Sequence, residues 1–219
     1  MIHLGKKQAT AFALIDELLK MSQGEQYLMS FLKILSAARM VVKYEGGFKV
    51  SKIEFGMYCY ENDLSVDLSE VATKLARRIL TINTNNKPAG YIPIFQEIDV
   101  SNKDLVRISF NKVVIEALYF LDNTLVYDWD SIKLLPNNEL KSTFIKLSAL
   151  RQYGRRIEIN FSVFSFIFNG ISYAKMHELV FQINKLTSFD VKFNTPQGVD
   201  VCLETGRYGR AILSMEKKT

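Results

Sequence analysis

Apolar residues recur at intervals of three and four over several long stretches of the chain, and each such stretch predicts a helix with one buried face. Gln8 to Lys20 puts Phe12, Ile15, Leu18 and Leu19 on one side. Gln23 to Ala38 does the same with Tyr27, Leu28, Phe31, Leu32 and Leu35, and Ser22 stands three residues before Glu25, the spacing of a capping box. After Gly46-Gly47 the pattern predicts a short strand over Phe48–Val50, then a short helix capped by Ser51, then a longer helix beginning at Asp67 with Val71, Leu75 and Ile79 facing inward. Strands are predicted at "LTINT", Tyr91–Ile98 and Leu105–Phe110, followed by a helix over Lys112–Leu121. Pro136 and two asparagines break the chain before a helix from Glu139 to Tyr153, which Gly154 stops.

The order then repeats. "RIEIN" predicts a short strand and "FSVFSFIFNG" a short helix ended by Gly170. The next stretch, "ISYAKMHELVFQINKLTSFDV", sets Met176, Leu179, Val180 and Ile183 against a polar stripe of Lys175, Glu178, Gln182 and Lys185. Strands follow at Phe189–Phe193, Val199–Leu203 and Ala211–Met215, with a turn at Pro196-Gln197-Gly198. Each half thus reads helix, short strand, short helix, long helix, β-hairpin. That is the order of a helix-turn-helix with a wing, so the expected fold class is α+β, two tandem winged-helix domains spanning 1–136 and 137–219. The halves share few residue identities, and the repeat rests on element order.

Charge adds a direction. The net charge is +5, and residues 151–219 carry 10 Lys/Arg against 6 Asp/Glu while residues 1–150 carry 18 against 17. A C-terminal positive excess suits a polyanion such as nucleic acid. Arg77 and Arg78 close the first long helix; Arg151, Arg155 and Arg156 flank the turn before the second short strand; Arg207 and Arg210 sit at the second wing, with Lys217 and Lys218 after it. These cations at helix ends and turns are candidate phosphate contacts. Ser172, Tyr173 and Lys175, at the start of the second long helix, are the candidates nearest the bases, with Lys185 further along. Met176, Val180 and Ile183 are assigned to the core.

Other chemistry finds little footing. No phosphate-cradling glycine loop or hydrolase elbow occurs, so catalysis is not expected. Histidine is limited to His3 and His177, and cysteine to Cys59 and Cys202, both in apolar surroundings that predict buried thiols. Neither a metal nor a cofactor is expected. No stretch approaches ~20 uninterrupted apolar residues and no leader is recognised, so a cytoplasmic protein without membrane contact is expected.

Several segments together resemble the plasmid replication initiator (Rep) family, iteron-binding proteins with tandem winged-helix domains. They are "MSQGEQYLMSFLKIL", "VDLSEVATKLARRILTI", "VRISFNKVVIEAL", "LKSTFIKLSALRQYG", "QINKLTSFDVKF" and "GRYGRAILSMEKK", in family order from Gln23 to Lys218. The resemblance implies a protein that binds repeated sequences in double-stranded origin DNA as a monomer, its second winged helix docked in the major groove. It implies a first winged helix that serves dimerisation and lighter DNA contact, dimers that repress their own promoter, and recruitment of a host replication initiator or helicase. The chain departs from the family at Tyr173 and Ala174, where a basic pair is usual, and at Asn111, where a proline motif stands. An alternative reading keeps the winged helices but gives them dimerisation, partner docking or transcriptional regulation in place of iteron binding.

Overall fold

A computed structural model describes residues 5–39, 47–84, 87–124, 129–195 and 210–218. The chain is mixed α+β, as the pattern predicts, and separates by its contacts into two units. One comprises Lys20–Leu80 and Tyr91–Glu116; the other comprises Met1–Leu19, Thr81–Gly90 and Ala117–Thr219. This division differs from a single cut after residue 136, because the first helix and residues 117–136 group with the C-terminal elements.

The N-terminal unit contains α2 (Gln23–Arg39), β1 (Phe48–Ser51), α3 (Lys52–Tyr60), α4 (Leu68–Ala76), β4 (Phe95–Asp99) and β5 (Leu105–Phe110). Local chemistry starts each helix where the sequence indicates. The Ser22 amide donates to the Glu25 carboxylate at 2.7 Å while the Glu25 amide donates to the Ser22 hydroxyl at 3.4 Å, closing the capping box. Ser51 and Asp67 cap α3 and α4 by accepting from the Glu54 and Glu70 amides. The buried faces meet in an aromatic core in which Phe31 lies edge-on to Phe55 at 5.7 Å and beside Tyr58 at 5.2 Å. Burial of the Cys59 thiol pushes its pKa up, consistent with an inert core cysteine; Cys202 lies outside the described residues.

Between α4 and β4 runs an additional two-stranded sheet, β2 (Ile79–Thr84) with β3 (Lys87–Pro93). The single strand expected over Tyr91–Ile98 is interrupted at Ile94. That fully buried residue donates its amide to the Arg78 carbonyl and accepts from the Asn111 amide. Asn111 in turn accepts from the Val113 amide at the start of α5 (Lys112–Thr124), so an Asx turn opens that helix without a proline.

The C-terminal unit contains α1 (Lys6–Leu19), α6 (Trp129–Leu134), α7 (Asn138–Leu150), a 3-10 turn over Arg151–Tyr153, β6 (Arg156–Asn160), α8 (Phe161–Ile167), α9 (Tyr173–Leu186), β7 (Phe189–Asn194) and β8 (Arg210–Lys217). The expected strand Val199–Leu203 and the turn before it lie outside the described residues. α1 packs on α7 and α8. Asp16 holds it there: its carboxylate meets the Lys146 ammonium at 2.7 Å and accepts from the Ser142 hydroxyl at 2.5 Å and the Asn169 amide at 2.8 Å. Lys146 is almost wholly buried, so this carboxylate offsets a charge that would otherwise be costly.

The two units share more than element order. Their sheets run β1-β5-β4 and β6-β8-β7, so in each the last strand is central and antiparallel to both neighbours. The register also matches. Counting from the caps of the short helices, Ser51 and Asn160, the buried pairs Val50–Val106 and Phe48–Ile108 coincide with Ile159–Ala211 and Ile157–Leu213. Core positions therefore recur at equivalent places although few residues are identical.

Candidate nucleic-acid interface

α9 is positioned by bonds at both its ends. Ser172 caps the first turn by accepting from the Lys175 amide at 3.1 Å. Near the other end, the Asn184 side chain donates to the Val191 carbonyl at 2.8 Å and accepts from the Val191 amide at 2.7 Å, locking helix to strand. Lys218 donates to the carbonyls of Asn184 and Thr187, placing a cation where the helix dipole favours it. Thr187 accepts from the Phe189 amide, which fixes the turn into β7.

One side of α9 is committed to the core. Met176, Leu179, Val180 and Ile183 are buried there, as expected. Tyr173 joins them, which corrects its assignment as a base-contacting residue. Its ring is 4% exposed and packs at 4.8 Å on Phe164, 5.6 Å on Phe193 and 5.8 Å on Phe161. Helical geometry explains the difference: Tyr173 precedes Met176 by three and so lies over the core stripe. Its hydroxyl is buried with no hydrogen-bond partner among the described residues, and burial raises its pKa.

The outward stripe runs Ala174, Glu178, Phe181, Lys185, at spacings of four, three and four. Phe181 is the residue missed at the sequence level. It is 70% exposed in the middle of the helix. The available signal was phase, since Phe181 follows the core residue Val180 by one position and so turns away from it. Lys175 lies to the flank, with its ammonium 3.2 Å from Glu178 and 3.7 Å from Glu139. The hydrogen bond that Lys175 donates to Glu178 and the nearby Glu139 charge raise its pKa. His177 is exposed and rests edge-on against Phe193 at 4.8 Å.

The arginines divide by unit and by role. In the C-terminal unit Arg151, Arg155 and Arg156 are all exposed, the first in the 3-10 turn and the others around the start of β6. Gly154, at φ 133°, makes the reversal that joins them. Arg156 and Lys192 both pair with Ser214, so the outer face of this sheet carries Arg156, Ser214 and Lys192 in one row, with the Cα atoms of the two basic residues about 10 Å apart. Lys192 was not among the sequence candidates; it also lies 3.4 Å from Asp190. Arg210 is in β8, and Arg207 lies outside the described residues.

In the N-terminal unit Arg77 is exposed at the end of α4. Arg78 is not available in the same sense. It donates two hydrogen bonds of 2.9 Å to Glu25 and one of 3.3 Å to the Lys20 carbonyl. A phosphate contact from Arg78 would have to break that pair. The sheet of this unit carries a groove of about 590 Å³ whose lining includes Lys49, Arg107 and Lys112 together with Gln96 and Glu97.

Among the described residues no three His, Cys, Asp or Glu side chains gather as a metal centre requires, and no helix is long and apolar enough to cross a membrane. Compared with known proteins, the chain matches no family profile, and no curated protein matches it at a significant level.

Proposed function

We propose that this chain is a DNA-binding replication initiator built from two winged-helix units, with α9 as the base-reading helix and the C-terminal unit as the main DNA-binding unit. The observation that carries the reading is the doubled unit. Helix, short strand, short helix, long helix and two-stranded ribbon occur twice with one strand order and one register. That arrangement is the one a winged helix uses to present its long helix to the major groove. Exposed Arg151, Arg155, Arg156 and Lys192 supply phosphate contacts beside it, and the outward stripe of α9 supplies the bases' partners. Glu178 can accept from a cytosine amino group, and Ala174 and Phe181 can contact thymine methyls. Strand opening then follows from binding and bending several adjacent sites, with no bound cofactor.

The test is a titration of the purified chain against duplexes from the DNA flanking its coding region. Direct repeats of about 20 base pairs, two helical turns, are the expected target. Affinity should exceed that for shuffled duplexes and fall steeply with salt, with a log–log slope of roughly −4 if four cations reach phosphate. No binding to any duplex at low salt would exclude the proposal and leave the winged helices as protein-docking modules.

A further inference from the structure

We infer that the outer face of α3, in the N-terminal unit, is a docking site for an amphipathic helix of a partner protein that carries lysine or arginine along one flank. Ile53, Met57 and Tyr60 are 73%, 62% and 83% exposed and fall at i, i+4 and i+7, so they form one continuous apolar stripe on a helix whose other face is already filled by Phe55 and Cys59. Three large apolar side chains in one row are not scattered surface residues; such a patch marks an interaction site. Beside them Gly56 is open, and a side chain added there would meet no atom within 4 Å, so a partner can approach the helix backbone closely.

The C-terminal unit shows what fits such a place. Counted from the helix caps, Ile53, Met57 and Tyr60 correspond to Ser162 and Phe166 on α8 and to Asn169 just beyond its end. There a helix is present: α1 packs on α7 and α8, with Asp16 bonded to Asn169. The matching position on α3 carries no helix among the described residues, and its polar counterparts are replaced by Ile53 and Tyr60. An apolar stripe gains by being covered where a polar one does not.

Charge identifies the flank of the missing helix. Glu54 and Glu61 lie along one edge of the stripe, and from Lys52 to Ala76 the chain carries five carboxylates against two lysines, of which Glu70 and Lys74 pair at 2.7 Å and offset one another. This surface repels phosphate and favours a cationic peptide. DNA is thereby a poor occupant for α3, and the inference does not rest on the DNA reading of α9.

The experiment uses the full chain and a fluorescein-labelled synthetic peptide with leucines at helical spacing and lysines along one flank, read by anisotropy. Binding should weaken with salt, fall roughly tenfold in Ile53→Ser or Tyr60→Ser, as for a central hot spot, and fall again in the double change Glu54→Lys with Glu61→Lys. Those positions are exposed, so the thermal midpoint should stay put; if the serine variants unfold, the charge-reversal variant alone decides. Equal binding of a peptide with glutamate in place of lysine, or undiminished binding by the variants, would overturn the inference. A concentration-dependent dimer in sedimentation that Tyr60→Ser abolishes would overturn it in favour of a second copy of this chain.

Discussion

Arg78 and Glu25 form a two-bond ion pair, each bond 2.9 Å, that ties the end of α4 to the start of α2. Glu25 is 2% exposed and simultaneously closes the Ser22 capping box. Removing the cation strands a buried carboxylate. Arg78→Ala should therefore destabilise the N-terminal unit by about 3 kcal/mol in urea denaturation, whereas Arg77→Ala, at an exposed site, should stay within ~0.5 kcal/mol. If both changes cost the same, the pair has no structural role and Arg78 returns to the list of phosphate contacts.

The same pair gives a pH dependence. Burial by itself would raise the Glu25 pKa, but the bonds from Arg78 and Ser22 outweigh it and hold the carboxyl below its ordinary value. A carboxylate with a depressed pKa contributes stability that is fully present above the unfolded value, about 4.3, and is lost as pH falls through the folded value. Stability of the wild-type chain should thus decline below about pH 4, and Glu25→Gln should flatten that part of the curve. An unchanged acid limb in the variant would show that other carboxylates control it.

Asp16 and Lys146 make α1 part of the C-terminal unit. Asp16→Ala should cost about 3 kcal/mol, because Lys146 keeps its buried charge and loses its carboxylate. The paired change Asp16→Leu with Lys146→Met should recover much of that loss. Additive losses in the double variant, measured by a mutant cycle, would contradict the pairing.

Tyr173 offers a gain. Its hydroxyl is buried without a partner among the described residues, so Tyr173→Phe should raise stability by about 1 kcal/mol and leave DNA affinity unchanged. A clear loss of sequence-specific binding in that variant, with folding intact, would return Tyr173 to the bases.

Phe181→Ala should act in the opposite manner. At an exposed position its stability effect should be small, while affinity for the specific site drops roughly tenfold and affinity for shuffled DNA holds. Replacing thymine by uracil in the site should weaken the wild type and leave the variant unaffected. Lys175→Ala should have the smaller effect of the two, since its ammonium is held between Glu178 and Glu139.

The sequence by itself determined most of the elements and their order, though not the β2–β3 pair, the break at Ile94 or α6. The capping box at Ser22, the caps at Ser51 and Asp67, the stop at Gly154 and the core stripe of α9 all stand where the residue pattern puts them. These features depend on neighbours three or four positions apart, so periodicity and side-chain type suffice to locate them. Only the tertiary structure decided which polar groups are free. Arg78 meets a carboxylate 53 residues away, and Lys146 meets one 130 residues away, separations no local pattern encodes. The placement of Tyr173 and Phe181, by contrast, was legible in helical phase, three before Met176 and one after Val180, and tertiary packing carried it out. Both are aromatic residues on one helix, and the rotation of that helix against Phe164 and Phe193 buried the first and left the second to solvent.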